Sequence, residues 1–236
     1  MNYIHLKSID STNTYLYKNY QDLEHMTIVS TDYQTKGKGR MSRIWYGNEK
    51  SIMCSILLKE HLNYLGTILP LMVAKSLHQV LSIYHNNIKI KWPNDLLING
   101  LKLSGILIKN IYQSNEILAT IIGFGINVNQ DNFDQEIKKI ATSLYLETNN
   151  IFDKEELLKE LVTQLDNDLK SITLNNQNIV DYCNNHSAIT NKRIQFTQNN
   201  QTYIGIAEKI NENGHLIVNV DNQIFEIDSS EILLSN

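Results

Sequence analysis

Two cysteines and two prolines are spread through 236 residues. Cys54 and Cys183 lie far apart, and neither belongs to a paired spacing of the kind that marks a disulfide framework or a zinc site. The fold must therefore rest on its own core. A surplus of positive charge is also missing. Lys and Arg total 21 against 25 Asp and Glu, a net charge of -4, which excludes a bulk electrostatic nucleic-acid binder but allows a local basic patch. No apolar run is long enough to cross a bilayer, since Ile68 to Ala74 is interrupted by Pro70 and followed by Lys75. The opening residues carry no continuous apolar stretch of the secretory type, so the expected compartment is the cytoplasm. What is present is ordinary for a folded chain. Hydrophobic residues make up 42% and charged residues 19%, enough for a substantial core and against wholesale disorder. The length suits one domain with a small appendage.

Periodicity divides the chain unevenly. Strand character appears at 3–9, 27–33, 51–58, 88–92 and 117–128, and capping residues Asp10 to Asn13 precede a short helix. Apolar spacing predicts a helix over 71–84, and Asp153 with Glu156 caps a second helix running to about Ile172. Asn99-Gly100 between Asp95–Ile98 and Leu101–Ile111 is a strong hairpin signal. The polar stretch 175–178 breaks the helical pattern. Beyond it, short strands at 193–197, 202–210, 215–220 and 223–227 are separated by turn clusters, which suggests a small barrel. A boundary near residue 188 thus separates a main α+β domain (1–188) of antiparallel strands and flanking helices from a small C-terminal domain (189–236).

Three constellations carry chemistry. Residues 34–43 run from Gln34 through Lys36, Lys38, Arg40 and Arg43 with Gly37 and Gly39 between them, and Trp45 follows. Glycines let backbone approach a ligand, and the cations suit a phosphate or carboxylate; composition alone also fits a solvated basic loop. With Met41 as its only apolar residue, this loop is expected to be poorly anchored. The second is Lys91-Trp92-Pro93-Asn94-Asp95, leading through the hairpin to Lys102, Ser104 and Gly105. A two-residue turn makes Ile98 face Leu101 and Leu97 face Lys102, so Asp95 lies diagonal to Lys102 on one sheet face. That pair is either an acid and a base at a site or an exposed ion pair of little consequence. The third is Gly123-Phe124-Gly125-Ile126-Asn127 with Asn129, where two glycines mark close approach by another group and the amides either contact a ligand or cap a turn.

In order, Ser11-Thr12-Asn13, the glycine and basic loop ending in Arg43 and Trp45, the Lys91–Asp95 run, Lys102 to Leu107, Gly123 to Asn127, and Ala141 to Leu144 with Glu147 resemble the biotin protein ligase family. The resemblance runs from about Ser8 to the C-terminus. It implies a catalytic domain like that of class II aminoacyl-tRNA synthetases with an SH3-like C-terminal barrel. It also implies joining of biotin to ATP as biotinyl-5′-AMP with Mg²⁺, then transfer to one lysine of a biotin carboxyl carrier protein such as an acetyl-CoA carboxylase subunit. Position by position, Ser11, Thr12, Asn13 and Gln34 would line the biotin head group, with Lys38, Gly39 and Arg40 folding over the ligand. Lys102, beside Gly105, would hold the carboxylate and then the adenylate phosphate. Arg43, Trp45, Asn94 and Asn127 would serve the nucleotide. Asp95 would orient or deprotonate the carrier lysine, and the metal ligands stay unassigned.

Two departures matter. Lys38, Met41 and Ser42 stand where the family has Arg, Arg and Gly, and a lysine lacks the bidentate fork of arginine. The Ser11 motif begins too early to leave room for a DNA-binding domain before it, so no repressor activity is expected. A homodimer is left open. The alternatives are a lipoate or octanoate ligase of the same architecture, and a non-catalytic biotin-sensing module.

Overall fold

The computed structural model describes residues 2–59, 66–172 and 176–234. In chain order the elements are β1 (Tyr3–Ile9), α1 (Thr12–Asn19), β2 (Thr27–Gln34), a 3-10 turn (Arg40–Ser42), β3 (Ser51–Leu58), α2 (Ile68–Leu81), β4 (Ile88–Lys91), β5 (Asp95–Ile98) and β6 (Leu101–Gln113). β7 (Glu116–Asn127), α3 (Leu144–Thr148), α4 (Lys154–Ser171) and α5 (Gln177–Asn185) follow. The chain ends in β8 (Arg193–Gln198), β9 (Gln201–Ile210), β10 (Leu216–Val220), β11 (Gln223–Ile227) and β12 (Leu233–Leu234).

The first seven strands form one sheet in the order β1-β2-β3-β7-β6-β5-β4. Its pairs are antiparallel apart from β1 and β2, which run parallel. This departs from the expected antiparallel arrangement. The cause is α1, which lies between the two strands and serves as the crossover a parallel pair needs.

β3 is buried at every position, which explains why its sequence is nearly continuous in apolar residues. One sheet face, including Ile52, Ile56, Ile122 and Ile126, joins the core formed with α2, α4 and α5. The other face packs under α1, whose Leu16 meets Val29, Leu57 and Ile121. With only eight residues, α1 covers part of that face and leaves the rest open.

The helices show where local rules worked. α2 starts at Ile68, earlier than expected, because Pro70 falls in the first turn, where a missing N–H has no partner to lose. It also stops at Leu81, short of Tyr84, which packs on the core and donates its hydroxyl to Glu160 at 2.8 Å. Asp153 caps α4 by accepting from the backbone N–H groups of Glu155 and Glu156. α5 went unforeseen, since only Ile179, Val180 and Cys183 of its residues are buried. Of the polar break expected at 175–178, residue 175 lies outside the described residues, and Gln177 already begins α5.

The last five strands form a second sheet in the order β11-β10-β9-β8-β12. Four of them match the expected segments to within a residue or two. Among the described residues no ladder joins β11 to β12, so the expected barrel is an open sheet; β12 is two residues long and pairs only with β8. Trp92 Nε1 donates to Gly214 O at 2.9 Å, and the Asn184 amide bonds both backbone groups of Ile210. One apolar core runs through both sheets. No helix among the described residues is long and apolar enough to cross a membrane.

Candidate active site

The Asn99-Gly100 turn fixes the hairpin as expected, with Ile98 opposite Leu101 and Leu97 opposite Lys102. A β-bulge then adds Leu103, so Ser104 pairs with Leu96 and Asp95 faces Gly105. From there one register row crosses five strands: Lys91 opposite Asp95, Asp95 opposite Gly105, Gly105 opposite Gly125, and Gly125 opposite Met53. Two residues along, Ser55 pairs with Gly123. From Lys91 to Gly125 this row, with Gly123 and Ser55 beside it, is the floor of a cavity of about 850 Å³ on the open part of the sheet face.

The hollow exists because the floor lacks side chains. A Cβ on Gly125 would come closer than 3.0 Å to the Trp45 ring, and one on Gly123 closer than 3.0 Å to the Asn13 amide. A Cβ on Gly105 would stand 3.0 Å from Lys102 Cε. Close approach at the two glycines of the third constellation is therefore real, and the groups that approach are Asn13 and Trp45. All fourteen residues to which the family resemblance gives a site role line this one cavity.

Its two ends differ in chemistry. One end is neutral and polar. Gln34 Oε1 accepts from Thr12 N at 2.8 Å, and the Thr12 and Ser55 hydroxyls lie 2.7 Å apart. Ser11 precedes α1 as its N-cap, yet its hydroxyl makes no capping bond, and it is buried at the cavity wall. Asn13 Oδ1 is buried without a hydrogen-bond partner, an acceptor costly to leave unmatched.

The other end is cationic. Lys38, Arg40, Arg43, Lys91, Lys102 and Lys139 line the cavity against the carboxylates Asp95 and Glu231, a local surplus on a chain of net charge -4. Lys102 Nζ lies 2.8 Å from Asp95 Oδ1, an ionic contact without good hydrogen-bond alignment, and 5.8 Å from the Trp45 ring centroid. Its backbone is held by the strap 140–142: Lys102 N donates to Ile140 O at 2.8 Å, and Thr142 N donates to Lys102 O at 3.0 Å. Glu147 locks that strap to the hairpin, accepting from the Thr142 hydroxyl at 2.6 Å and from Asn99 Nδ2 at 2.8 Å.

The basic loop is folded over the cavity as a flap. Lys38 bridges to Ile44, Trp45 N donates to Gly37 O at 3.1 Å, and Gly39 N donates to Arg43 O at 2.8 Å. Arg40 Nη1 donates to Asn94 Oδ1 at 2.8 Å, and Arg43 forms an ion pair with Glu231 from the second sheet. The expectation of a poorly anchored loop thus gives way to a flap anchored at several points. Met41, its one apolar residue, is 70% exposed in a left-handed conformation and anchors nothing. Burial lowers the Arg40 pKa and Asp95 opposes that shift, so this cation sits where an anion would stabilise it.

Three residues assigned to the nucleotide are already engaged. Asn127 Nδ2 donates to Thr142 O at 2.9 Å and Lys102 O at 3.4 Å, while its Oδ1 accepts from Gln130. Asn94 Nδ2 donates to Ile106 O at 2.7 Å while Oδ1 holds Arg40, and Arg43 holds Glu231. Their contacts position other groups, and all three line the cavity. Residues the sequence reading left without a role are Ser55, Lys91, Lys139, Thr142 and Glu231. Lys91 and Thr142 carried a local signal, as members of the Lys91–Asp95 and Ala141–Leu144 runs; the others come from segments whose approach depends on the fold.

The sequence model of the biotin/lipoate A/B protein ligase family matches residues 5–127. The bifunctional ligase/repressor BirA of Bacillus spizizenii is 32% identical over 216 residues, covering 88% of this chain and 66% of that protein. The chain therefore spans just under two thirds of that relative's length. The biotin–[acetyl-CoA-carboxylase] ligase of Paracoccus denitrificans is 29% identical over 160 residues, covering 65% of this chain and 67% of that one. Among solved structures, the Aquifex aeolicus biotin protein ligase in complex with biotin and ATP superposes with a TM-score of 0.85 at 28% identity, covering 99% of this chain and 98% of that one. With its match spanning the flap, the Lys91–Asp95 run and the glycine floor, the chain belongs to the biotin/lipoate A/B protein ligase family.

Proposed function

We propose that the chain activates biotin with ATP to biotinyl-5′-AMP and passes the biotinyl group to a lysine of a biotin carboxyl carrier protein. The observation that carries this reading is the two-ended cavity, with the unpaired buried Asn13 Oδ1 at one end and the cations around Lys102 at the other. A biotin head group offers ureido N–H donors to Asn13 and an acceptor to hydroxyl and amide groups nearby. The tail of lipoate or octanoate ends in apolar atoms and would bury Asn13 Oδ1 unmatched, a cost of about 1–3 kcal/mol. That argues for biotin over its nearest alternatives. The carrier lysine and the acetyl-CoA carboxylase partner rest on what the relatives act on.

The residues divide the work. Lys102 and Arg40 lie where two anions must meet, the biotin carboxylate and the α-phosphate, and offset their repulsion. A carboxylate oxygen attacks the phosphorus, and diphosphate leaves. Asp95 aligns Lys102, and since an ionised aspartate is a weak base, its part in transfer is to orient the incoming amine. Asn94 and Asn127 hold Arg40 and the Lys102 strap in place. In the second step the neutral carrier amine attacks the acyl carbon, the C–O bond to AMP breaks with its electron pair leaving on the phosphate oxygen, and the amine proton passes to solvent. Among the described residues no group of three metal-binding side chains is assembled, and the carboxylates at the cationic end are Asp95 and Glu231. Asp95 and Glu231 are the residues that would hold a Mg²⁺ ion here together with the nucleotide, and the ion would neutralise phosphate charge. We keep the division into 1–188 and 189–236, because residues 186–188 still pair with β4 through Ile90. ATP–diphosphate exchange that depends on biotin, and is absent with lipoate or octanoate, tests the reading; equal exchange with all three acids would overturn the assignment to biotin.

A further inference from the structure

Lys91 ends the floor row, and the reading above gives it no role. It alternates with the buried Ile88, Ile90 and Trp92, so it points to the cavity side of β4. Its register partner is Asp95, but that carboxylate turns to Lys102. Among the described residues the Lys91 side chain makes neither an ion pair nor a hydrogen bond. Burial lowers its pKa, with Asp95 opposing and the Lys102 cation reinforcing the shift. A half-buried cation left this way is stabilised when an anion arrives.

The floor also works as a ruler. From Gly125 to Lys91 there are three strand steps of roughly 4.8 Å each. A ligand with its neutral ring against Asn13 runs over the glycines under Trp45 and brings its carboxylate to Lys102. Anything attached beyond that carboxylate heads toward β4, where Lys91 comes next and the Arg43–Glu231 pair closes the way. An uncharged nucleoside would leave Lys91 without a partner. A phosphate chain would not.

We propose that Lys91 binds the β- and γ-phosphates of ATP and holds the diphosphate as it departs. The inference rests on the adenylation reading. In that step the carboxylate O–Pα bond forms, the Pα–O bond to diphosphate breaks, and the electron pair leaves on the diphosphate oxygen, which Lys91 stabilises; no proton moves. Lys91 is distinct here from Lys102 and Arg40, which meet the carboxylate and the α-phosphate.

The test is biotin-dependent ATP–diphosphate exchange by the unsubstituted chain, Lys91→Met and Lys91→Arg, with biotin affinity measured alongside. Lys91→Met should raise the ATP KM and the inhibition constant of diphosphate by about tenfold or more, the worth of one charge-assisted hydrogen bond, while biotin affinity stays within about twofold. Lys91→Arg, which keeps the charge, should recover most of both. Unchanged ATP KM and diphosphate inhibition in a Lys91→Met protein that still binds biotin would overturn the inference. So would a defect confined to transfer onto the carrier, which would make Lys91 a partner of Asp95 only. If Lys91→Met does not bind biotin, Lys91→Gln replaces it. Calorimetric titration with Mg–diphosphate separates this inference from the adenylation reading: binding that is present in the parent and lost in Lys91→Met supports the inference even without exchange, and no binding to the parent overturns it.

Discussion

Replacing Gly123 by alanine should damage the site while sparing the fold. Gly123 lies in β7 opposite Ser55, and positive φ among the glycines is confined to Gly66, Gly100 and Gly214. Its backbone therefore suits alanine, and a glycine-to-alanine change in a strand stabilises by roughly 0.5–1 kcal/mol when nothing clashes. Here the new methyl would fall closer than 3.0 Å to the Asn13 amide. That amide must swing aside, taking Oδ1 away from the neutral end of the cavity. A ligand donor then stays buried and unmatched, at about 1–3 kcal/mol, which corresponds to between about 5-fold and about 150-fold in Kd. Biotin calorimetry and thermal unfolding on the same sample give the answer. Affinity should fall by that factor while Tm moves by no more than a few degrees. Full affinity would show that Asn13 does not touch the ligand, and a large drop in Tm would make Gly123 a packing residue.

Three further outcomes follow from the geometry. Arg43→Glu should leave stability nearly unchanged, because the pair with Glu231 is largely exposed, yet speed hydrogen exchange across 37–45; Glu231→Arg in the same chain should restore protection, and no change in exchange would remove the anchor. Glu147→Ala should release both Asn99 and Thr142, lowering the exchange kcat at least about fivefold with little change in the biotin KM, whereas an equal rise in KM would mean the strap does more than hold Lys102. His78 is 3% exposed, donates from Nε2 to Ile88 O at 3.1 Å and so accepts from the Tyr182 hydroxyl at Nδ1, and burial lowers its pKa from 6.5 to about 4. Because the unfolded chain takes up that proton first, the contribution is complete above about pH 6.5 and is lost as pH falls toward 4, roughly 2 kcal/mol by pH 5; urea unfolding at pH 7.5 and 5 should show that loss, and a His78→Gln chain with the same slope would contradict it.

Legibility in the sequence followed the range of the interaction. The Asn99-Gly100 turn set the hairpin register because its cause is local, and Asp153 announced α4 for the same reason. The bulge at Leu103 left no compositional trace, although it moves Asp95 from Ser104 to Gly105 and thereby completes the floor row. Gly123 and Gly125 announced that something approaches, but Asn13 and Trp45 arrive from more than seventy positions earlier in the chain. The flap misled for a related reason. Its lack of apolar residues suggested poor anchoring, while its anchors, Asn94 and Glu231, belong to remote segments. α5 was hidden because three buried side chains in nine residues make too short a stripe to count. The parallel β1–β2 pair and the open second sheet are facts of connection between segments, which alternation within a strand does not record.

The central claim is that one cavity both makes the biotinyl adenylate and delivers it, with Lys102 as the pivot. Its most direct measurement follows labelled biotin onto a purified biotin carboxyl carrier domain in the presence of ATP and Mg²⁺. The unsubstituted chain is compared with a Lys102→Ala chain whose fold is checked by its melting curve. The account predicts label on a single carrier lysine, no label without ATP, and loss of both adenylate and transfer in the folded Lys102→Ala protein. Near-normal labelling by Lys102→Ala, or none by the unsubstituted chain, would contradict it.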